Sequence, residues 1–124
     1  MSVAVTVIVT DADGVSHFRD RTVDLVDQAF APPAPPLAVS APVPARAGVF
    51  FRMPVGWFGD WHPAPVHQYF VQTTGTLEVT IGDGEVRVLR PGSVVLLEDL
   101  TGRGHRTRVV GDDDVCGVFV QLPA

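Results

Sequence analysis

The stretch GWFGDWHPAPVHQYFVQTTG, residues 56–75, decides the interpretation of this chain, because two of its four histidines and two glutamines lie there between turns. Glycine and proline mark residues 54–65 as a loop. β-Branched and aromatic residues then predict a strand over residues 66–74. Whether His62 and His67 belong to a binding site depends on the face of this strand that each neighbouring side chain occupies.

Short strands separated by turns are predicted along most of the chain. Residues 3–9 are rich in valine and are expected to form a strand, and residues 15–29 a short strand followed by irregular chain. Residues 76–89 have the pattern of a hairpin with a tight Asp83-Gly84 turn. Further strands are expected over 47–53, 94–98, 105–110 and 115–122. Roughly seven to nine strands with little helix indicate a β-sandwich or small barrel, which leaves few free sheet edges.

A proline-rich segment, residues 30–45, precedes most of these strands and contains six prolines. Proline excludes a helix or a central strand, so we expect extended, polyproline-like chain. Apolar residues are interspersed among the prolines, which favours packing against the domain or a partner subunit over a free linker.

The composition excludes several functions. The net charge is −5 and the nine basic residues are all arginines without a basic stripe, so a nucleic-acid partner is not expected. The absence of lysine excludes Schiff-base chemistry and a P-loop, and the single cysteine, Cys116, excludes a disulfide within the chain. The first residues have no basic region, and their apolar run is too short for a signal peptide or membrane span. We therefore expect a cytoplasmic protein without a membrane partner.

The spacing of the first motif resembles that of the cupins, small jelly-roll barrels with a pattern G-x5-H-x-H-x3,4-E-x6-G. Gly56, His62, Gln68 and Gly75 occupy matching positions. Ala64 stands in place of the second histidine, and Gln68 in place of the glutamate. The resemblance therefore keeps the framework of the motif and one of its three ligand positions.

A second match lies in PGSVVLLEDLTGRGHRTRV, residues 91–109. It resembles the second cupin motif, G-x5-P-x-G-x2-H-x3-N, with Gly92 and His105 in place, Glu98 instead of proline and Val109 instead of asparagine. The loop before Gly102 is two residues longer than the pattern.

The resemblance, which covers residues 47–122, implies an all-β fold, a cupin-like jelly-roll β-barrel of the kind found in small bacterial single-domain cupins. We expect residues 1–46 to form an N-terminal strand and a proline-rich arm packed on a barrel of residues 47–124, as one domain overall. The resemblance also implies a homodimer.

The candidate site follows from strand alternation. If Gln68 takes the position of the motif glutamate, its face points into the barrel and His67 points outward or lies at the mouth. We expect His62, His105 and Gln68 to be the catalytic residues. The side chains expected to contact a small-molecule ligand or substrate are Gln72, Phe70, Trp61, Tyr69 and His67.

Three functions are compatible with these residues. The first is an enzyme of the cyclase or isomerase type, in which His62 and His105 act as acid and base without a metal. The second is a metal-dependent, dioxygenase-like cupin, in which His62 and His105 hold one divalent Fe, Ni, Cu or Zn ion and the third ligand is either Gln68 or an acid, Glu98 or Asp99. The third is a binding or sensing module without chemistry.

Overall fold

Twelve β-strands, joined by turns and loops, make up the structure, a computed structural model that describes residues 1–124. In chain order they are β1 Ser2–Thr10, β2 Ser16–Asp24, β3 Val26–Gln28, β4 Leu37–Val39, β5 Ala47–Met53, β6 Phe58–His62, β7 Gln68–Gln72, β8 Thr76–Ile81, β9 Val86–Leu89, β10 Val94–Leu97, β11 His105–Val110 and β12 Val115–Gln121. The structure has no helix that would be able to cross a lipid bilayer.

The last eight strands form two facing sheets. Strands β10, β7, β12 and β5 are neighbours in one sheet, and β6, β11, β8 and β9 form the other. Successive strands cross from one sheet to the other except at the β8–β9 hairpin, which is the connectivity of a jelly roll. The predicted all-β, cupin-like jelly-roll fold is therefore confirmed by the order of the strands.

The first two strands extend the larger sheet to six strands. β1 pairs in parallel with β10, and β2 pairs with β1 along nine residues, from Ser2↔Asp24 to Thr10↔Ser16. β3 and β4 form a separate two-stranded ribbon. Most of residues 30–45 are exposed, so packing of the proline-rich arm on the barrel or on a partner stays a prediction.

Strand alternation places the core between the sheets. Along β7, Gln68, Phe70 and Gln72 are buried while the residues between them are only half-buried, as predicted from the sequence. The same alternation in β8 and β11 contributes to one cluster of twelve buried hydrophobic residues. A smaller cluster, Val5, Val7 and Leu96, lies apart from it, and Tyr69 packs there.

Two segments were predicted incorrectly. Residues 54–65 contain strand β6, not only a loop, and β2 runs for nine residues where a short strand was expected. β6 pairs with β11, and Gly59 at its second position leaves room for the Trp57 ring, which would lie 2.5 Å from an added Cβ. The glycines and prolines of residues 54–65 predicted a loop, because local composition does not show pairing with a strand that is distant in sequence.

The loops at one end of the jelly roll are tied together by Ser16. Its buried hydroxyl donates to the carbonyl of Gly104 at 2.7 Å and accepts from the amide of Gly82 at 2.7 Å. The start of β2, the β8–β9 turn and the loop before β11 therefore have fixed relative positions. This end also carries His105, the first residue of β11.

His17 connects two of these turns through carboxylates. Its Nε2 lies 2.7 Å from Asp11 Oδ2 and its Nδ1 lies 3.0 Å from Asp83 Oδ2. Only the imidazolium donates from both nitrogens. The hydrogen bond to Asp11, followed by the one to Asp83, raises the pKa of His17 above its ordinary value, and the bond to His17 is the main cause that lowers the pKa of Asp11.

These shifts predict a stability contribution that is limited to a pH window. Because the pKa of His17 is raised in the folded state, its contribution is complete below about pH 6.5 and is lost as pH rises through the folded pKa. Because the pKa of Asp11 is lowered, its contribution is present above about pH 3.8 and is lost as pH falls through its folded pKa. We expect the difference in free energy of unfolding between wild type and His17→Gln, from urea titrations, to be larger at about pH 5.5 than at about pH 9. A difference that stays constant or grows with pH would contradict this, and added salt should reduce it, since the pair is exposed.

Candidate functional site

A cavity of about 520 Å³ lies between the two sheets. Twelve of the twenty residues that line it are hydrophobic, and this volume is within the range typical of small-molecule sites. Three lining residues are exposed and mark its mouth: Arg52, Pro63 and Pro65. His62, His105 and Gln68, the three predicted catalytic residues, all line it, and so does Phe70.

His62 reaches the cavity because the pairing of β6 with β11 shifts register. His105 is opposite His62, but Thr107 is opposite Gly59, so β6 has one more residue than β11 over this interval. Such an extra residue rotates the strand and redirects a side chain. The ring is held by Nδ1, which donates to the backbone carbonyl of Asp60 at 2.6 Å. That carbonyl only accepts, so neutral His62 carries its free lone pair on Nε2.

His105 forms a buried pair with Asp99. Its Nδ1 lies 2.6 Å from Asp99 Oδ2, and the two side chains are 7% and 0% exposed. Asp99 belongs to the loop between β10 and β11, and its backbone carbonyl accepts from the amide of Ala64 at 2.9 Å. Asp99 therefore orients His105 with its side chain while its backbone fixes the loop that follows His62.

Gly104 lets the two histidines approach. It has a φ of +76°, and a Cβ at this position would overlap the backbone carbonyl of His62. Only glycine fits both the backbone conformation and the contact. The result is a pair of imidazoles with ring centroids 4.7 Å apart, each bound through Nδ1.

Two further polar groups line the cavity without a partner. Gln68 is 3% exposed and Thr107 is 7% exposed, and neither Gln68 Oε1 nor Thr107 Oγ1 has a hydrogen-bond partner. Buried polar atoms are rarely left unpaired in folded proteins. These two atoms therefore indicate where a polar ligand group would be recognised.

An aromatic cluster lines the side of the cavity formed by the six-stranded sheet. Phe51 on β5 stacks on Phe70 with ring centroids 5.2 Å apart and an interplanar angle of 25°. Phe119 on β12 lies 4.7 Å from Phe51 and 5.8 Å from Phe70. All three rings line the cavity and offer an apolar aromatic surface.

Four residues that the sequence suggested for ligand contact lie elsewhere. Gln72 is buried but donates to the carbonyls of Gly75 and Leu89, outside the cavity lining. Tyr69 packs in the smaller cluster, and His67 binds Glu98 Oε2 at 2.9 Å.

Trp61 is the fourth of these residues. Arg103 and Arg106 lie over its ring, with the Cζ atoms 3.9 and 5.2 Å from the ring centroid. Trp61 is absent from the cavity lining, whereas Trp57 contributes to it.

The residues present do not fit the metal site of the cupin pattern. His62, His105 and Gln68 share the cavity, but no group of three or more histidine, cysteine or acidic side chains is arranged to hold an ion. The third donor would be a neutral amide. The carboxylate of Asp99 contacts the imidazole Nδ1 of His105 and does not join the two histidines as a ligand. The arrangement differs from a two-histidine, one-carboxylate site in both charge and donor type.

Several lining residues were missed in the sequence. Phe51 and Phe119 follow the alternation of β5 and β12, and Thr107 is two positions after His105 on β11, so the inward face of each strand was the available signal. The sequence suggests Asp99 only as an acid for a metal site. Its contact with Nδ1 depends on loop geometry, which spacing does not reveal.

Two solved structures are similar to this chain at low sequence identity. No protein-family model and no curated protein sequence matches the chain. Protein NMB1881 from Neisseria meningitidis is 16% identical over 61% of this chain and 72% of its own, with a TM-score of 0.44. The Cnp3 cupin domain from Schizosaccharomyces pombe is 14% identical over 97% of this chain and 83% of its own, with a TM-score of 0.49.

The two histidines should differ in their effect on stability. His105→Phe leaves the fully buried Asp99 carboxylate without its partner, so we expect the free energy of unfolding to fall by about 3–5 kcal/mol. His62→Phe loses one hydrogen bond to a backbone carbonyl, which should cost about 1 kcal/mol. Urea unfolding at neutral pH measures both. The double variant Asp99→Leu/His105→Phe should recover much of the loss. Equal losses in the two single variants would show that Asp99 and His105 are not coupled.

Proposed function

We propose that the chain is a small-molecule enzyme of the cyclase or isomerase type, in which His62 and His105 move protons on a carbonyl compound bound in the cavity. The observation that supports this most directly is the geometry of the two imidazoles. Their rings are 4.7 Å apart in a largely apolar cavity, and each has Nδ1 engaged by an acceptor. Both Nε2 atoms are therefore left for a ligand.

His62 is suited to act as the base. Its Nδ1–H donates to the Asp60 carbonyl, which selects the neutral tautomer with a lone pair on Nε2. Nothing in the structure pairs this ring with a carboxylate. Its Nε2 lone pair is therefore left to accept the substrate proton.

His105 is suited to act as the acid. Asp99 Oδ2 accepts from His105 Nδ1 at 2.6 Å, so when His105 carries a proton on both nitrogens its Nε2–H is the one free to donate. Asp99 touches only His105 among the proposed reacting groups, so it is a positioning residue.

The proposed step is an enolisation. His62 Nε2 takes a proton from the carbon next to the carbonyl, and the C–H electron pair forms the C=C bond of the enol. The carbonyl π pair moves to oxygen, which takes the proton from His105 Nε2. In a conjugated dienol, His62 Nε2–H protonates a different carbon while His105 Nε2 takes back the enol O–H proton, which re-forms the carbonyl and gives an isomer. In ring closure, the enol carbon attacks a second carbonyl of the same molecule, the new alkoxide takes the proton from His62, and the enol O–H proton returns to His105. Both outcomes leave the enzyme unchanged, without a redox partner.

The surrounding residues support this chemistry. Gln68 and Thr107 supply polar atoms that lack a partner and that orient the substrate oxygens. The hydrophobic lining, including Leu77, Val79 and Leu97, keeps water from competing for the imidazoles.

Exchange of carbon-bound protons with solvent tests the proposal without knowledge of the natural substrate. We expect the wild-type protein to accelerate deuterium incorporation next to the carbonyl of small ketones in D₂O, followed by proton NMR. His62→Gln should reduce the acceleration by about 100-fold or more, since positioned acid–base groups contribute at least this much. Asp99→Asn should also reduce it, because an amide in place of the carboxylate supports the wrong tautomer of His105.

The matched control is His17→Gln, which removes a histidine outside the cavity lining and should leave the acceleration unchanged at pH values where the variant is folded. Exchange no faster than with free imidazole across the ketone panel, or equal acceleration by His62→Gln, would refute the acid–base function. Saturable binding without any exchange would instead favour a binding or sensing module.

A further inference from the structure

Two features of the cavity other than the two proton-transferring histidines carry information about its ligand. One is the pair of polar atoms without partners, Gln68 Oε1 and Thr107 Oγ1, and the other is the cluster of three phenylalanines. Neither feature is needed to hold the two histidines.

The polar atoms define the head of the ligand. Both residues are more than nine-tenths buried, so neither atom gains full hydration from bulk solvent. A glutamine carbonyl accepts and a threonine hydroxyl both accepts and donates. A carbonyl or enol oxygen of the ligand would accept from the Thr107 hydroxyl. An enol or phenol hydroxyl of the ligand would donate to Gln68 Oε1.

The phenylalanines define the body. The Phe51 and Phe70 rings stack at 5.2 Å, and Phe119 packs against both. Thr107 belongs to the opposite sheet, whereas Gln68 shares the sheet of the phenylalanines, so a flat molecule between the sheets meets the aromatic rings on one side and the Thr107 hydroxyl on the other. Aromatic pairs are more favourable than their buried area alone predicts.

The charges around the cavity disfavour an anionic group of the ligand next to His62 and His105. The charged side chain behind His105 is the Asp99 carboxylate, which repels an anion. The only guanidinium that lines the cavity belongs to Arg52, whose side chain is 66% exposed at the mouth and binds Asp114 at 3.0 Å. An anion next to the histidines would therefore lose its hydration without gaining a guanidinium.

We propose that the cavity selects a neutral, planar aromatic molecule of one or two rings that carries a ketone or its enol, with the oxygen head at Gln68 and Thr107 and the ring against Phe51, Phe70 and Phe119. This assignment rests on the proposed function for its reactive carbonyl. The cavity volume of about 520 Å³ accommodates a two-ring molecule.

Three probes of similar size test this selectivity by isothermal titration calorimetry or ligand-observed NMR. They are 1-tetralone, a neutral aromatic ketone; 1-decalone, its saturated counterpart; and 1-naphthoate, an aromatic anion. We expect 1-tetralone to bind about 2- to 10-fold more tightly than 1-decalone. We expect 1-naphthoate to bind at least about tenfold more weakly than 1-tetralone, because no guanidinium lies next to the histidines and the charge of a protonated His105 is already balanced by Asp99.

Variants assign the selectivity to residues. Thr107→Val should weaken 1-tetralone binding about 2- to 10-fold, and Phe51→Leu should weaken 1-tetralone more than 1-decalone. The controls are Thr80→Val and Phe58→Leu, which make the same changes outside the cavity lining and should leave binding unchanged. Unchanged amide NMR spectra outside the site show that each variant is folded.

The ligand class is overturned if none of the probes saturates, if 1-naphthoate or 1-decalone binds as tightly as 1-tetralone, or if Thr107→Val and Thr80→Val behave alike. Its failure differs from that of the proposed function. Selective binding of 1-tetralone without exchange of its C2 protons leaves the ligand class standing and refutes the acid–base step. If 1-decalone binds as tightly as 1-tetralone and exchanges its protons with solvent as fast, the ligand class is refuted and the acid–base step stands.

Discussion

The candidate site depends on one buried interaction, the 2.6 Å contact between Asp99 Oδ2 and His105 Nδ1. Transfer of a carboxylate and an imidazole from water to the interior is costly, and such pairs often stabilise a protein no more than apolar residues of the same size. Orientation explains this pair better than stability does. The backbone carbonyl of Asp99 binds Ala64, so the same residue fixes the loop beside His62. With Gly104 against the His62 carbonyl, these contacts determine the distance between the two imidazoles.

The departures from the cupin pattern are consistent with one another. Ala64 is 3% exposed and belongs to the hydrophobic core, where the pattern has a second histidine. Gln68 is also 3% exposed and brings an amide in place of a carboxylate. A smaller side chain and a neutral one lower both the number of donors and the charge that would attract a cation. The carboxylate of Asp99 lies behind an imidazole and accepts from its Nδ1.

Strand alternation and turn residues, which are local signals, predicted an all-β sandwich or small barrel. The jelly roll, and the burial of the face that carries Gln68 and Phe70, followed from the resemblance to the cupin motif. The sequence also predicted that His62 and His105 share one site, but only through their spacing in a resembling motif. It did not predict strand β6, whose pairing with β11 lies outside any local pattern, or the register shift that turns His62 inward. The partner of Asp99 was equally inaccessible, because a loop side chain acquires its contact only when distant strands are assembled.

The cavity lowers the stability of the fold, because it lies in the middle of the hydrophobic core. Protein interiors are normally packed as densely as organic crystals, and a space lined by Leu77, Val79 and Phe70 loses contacts that larger side chains would make. The unpartnered oxygens of Gln68 and Thr107 add a second cost at the same place. A sequence that served stability alone would remove both by filling the space with apolar side chains. A ligand with an apolar body and one polar end removes both at once. The proposed ligand selectivity therefore depends on the same two features that lower the stability of this core, the cavity and the unpartnered oxygens.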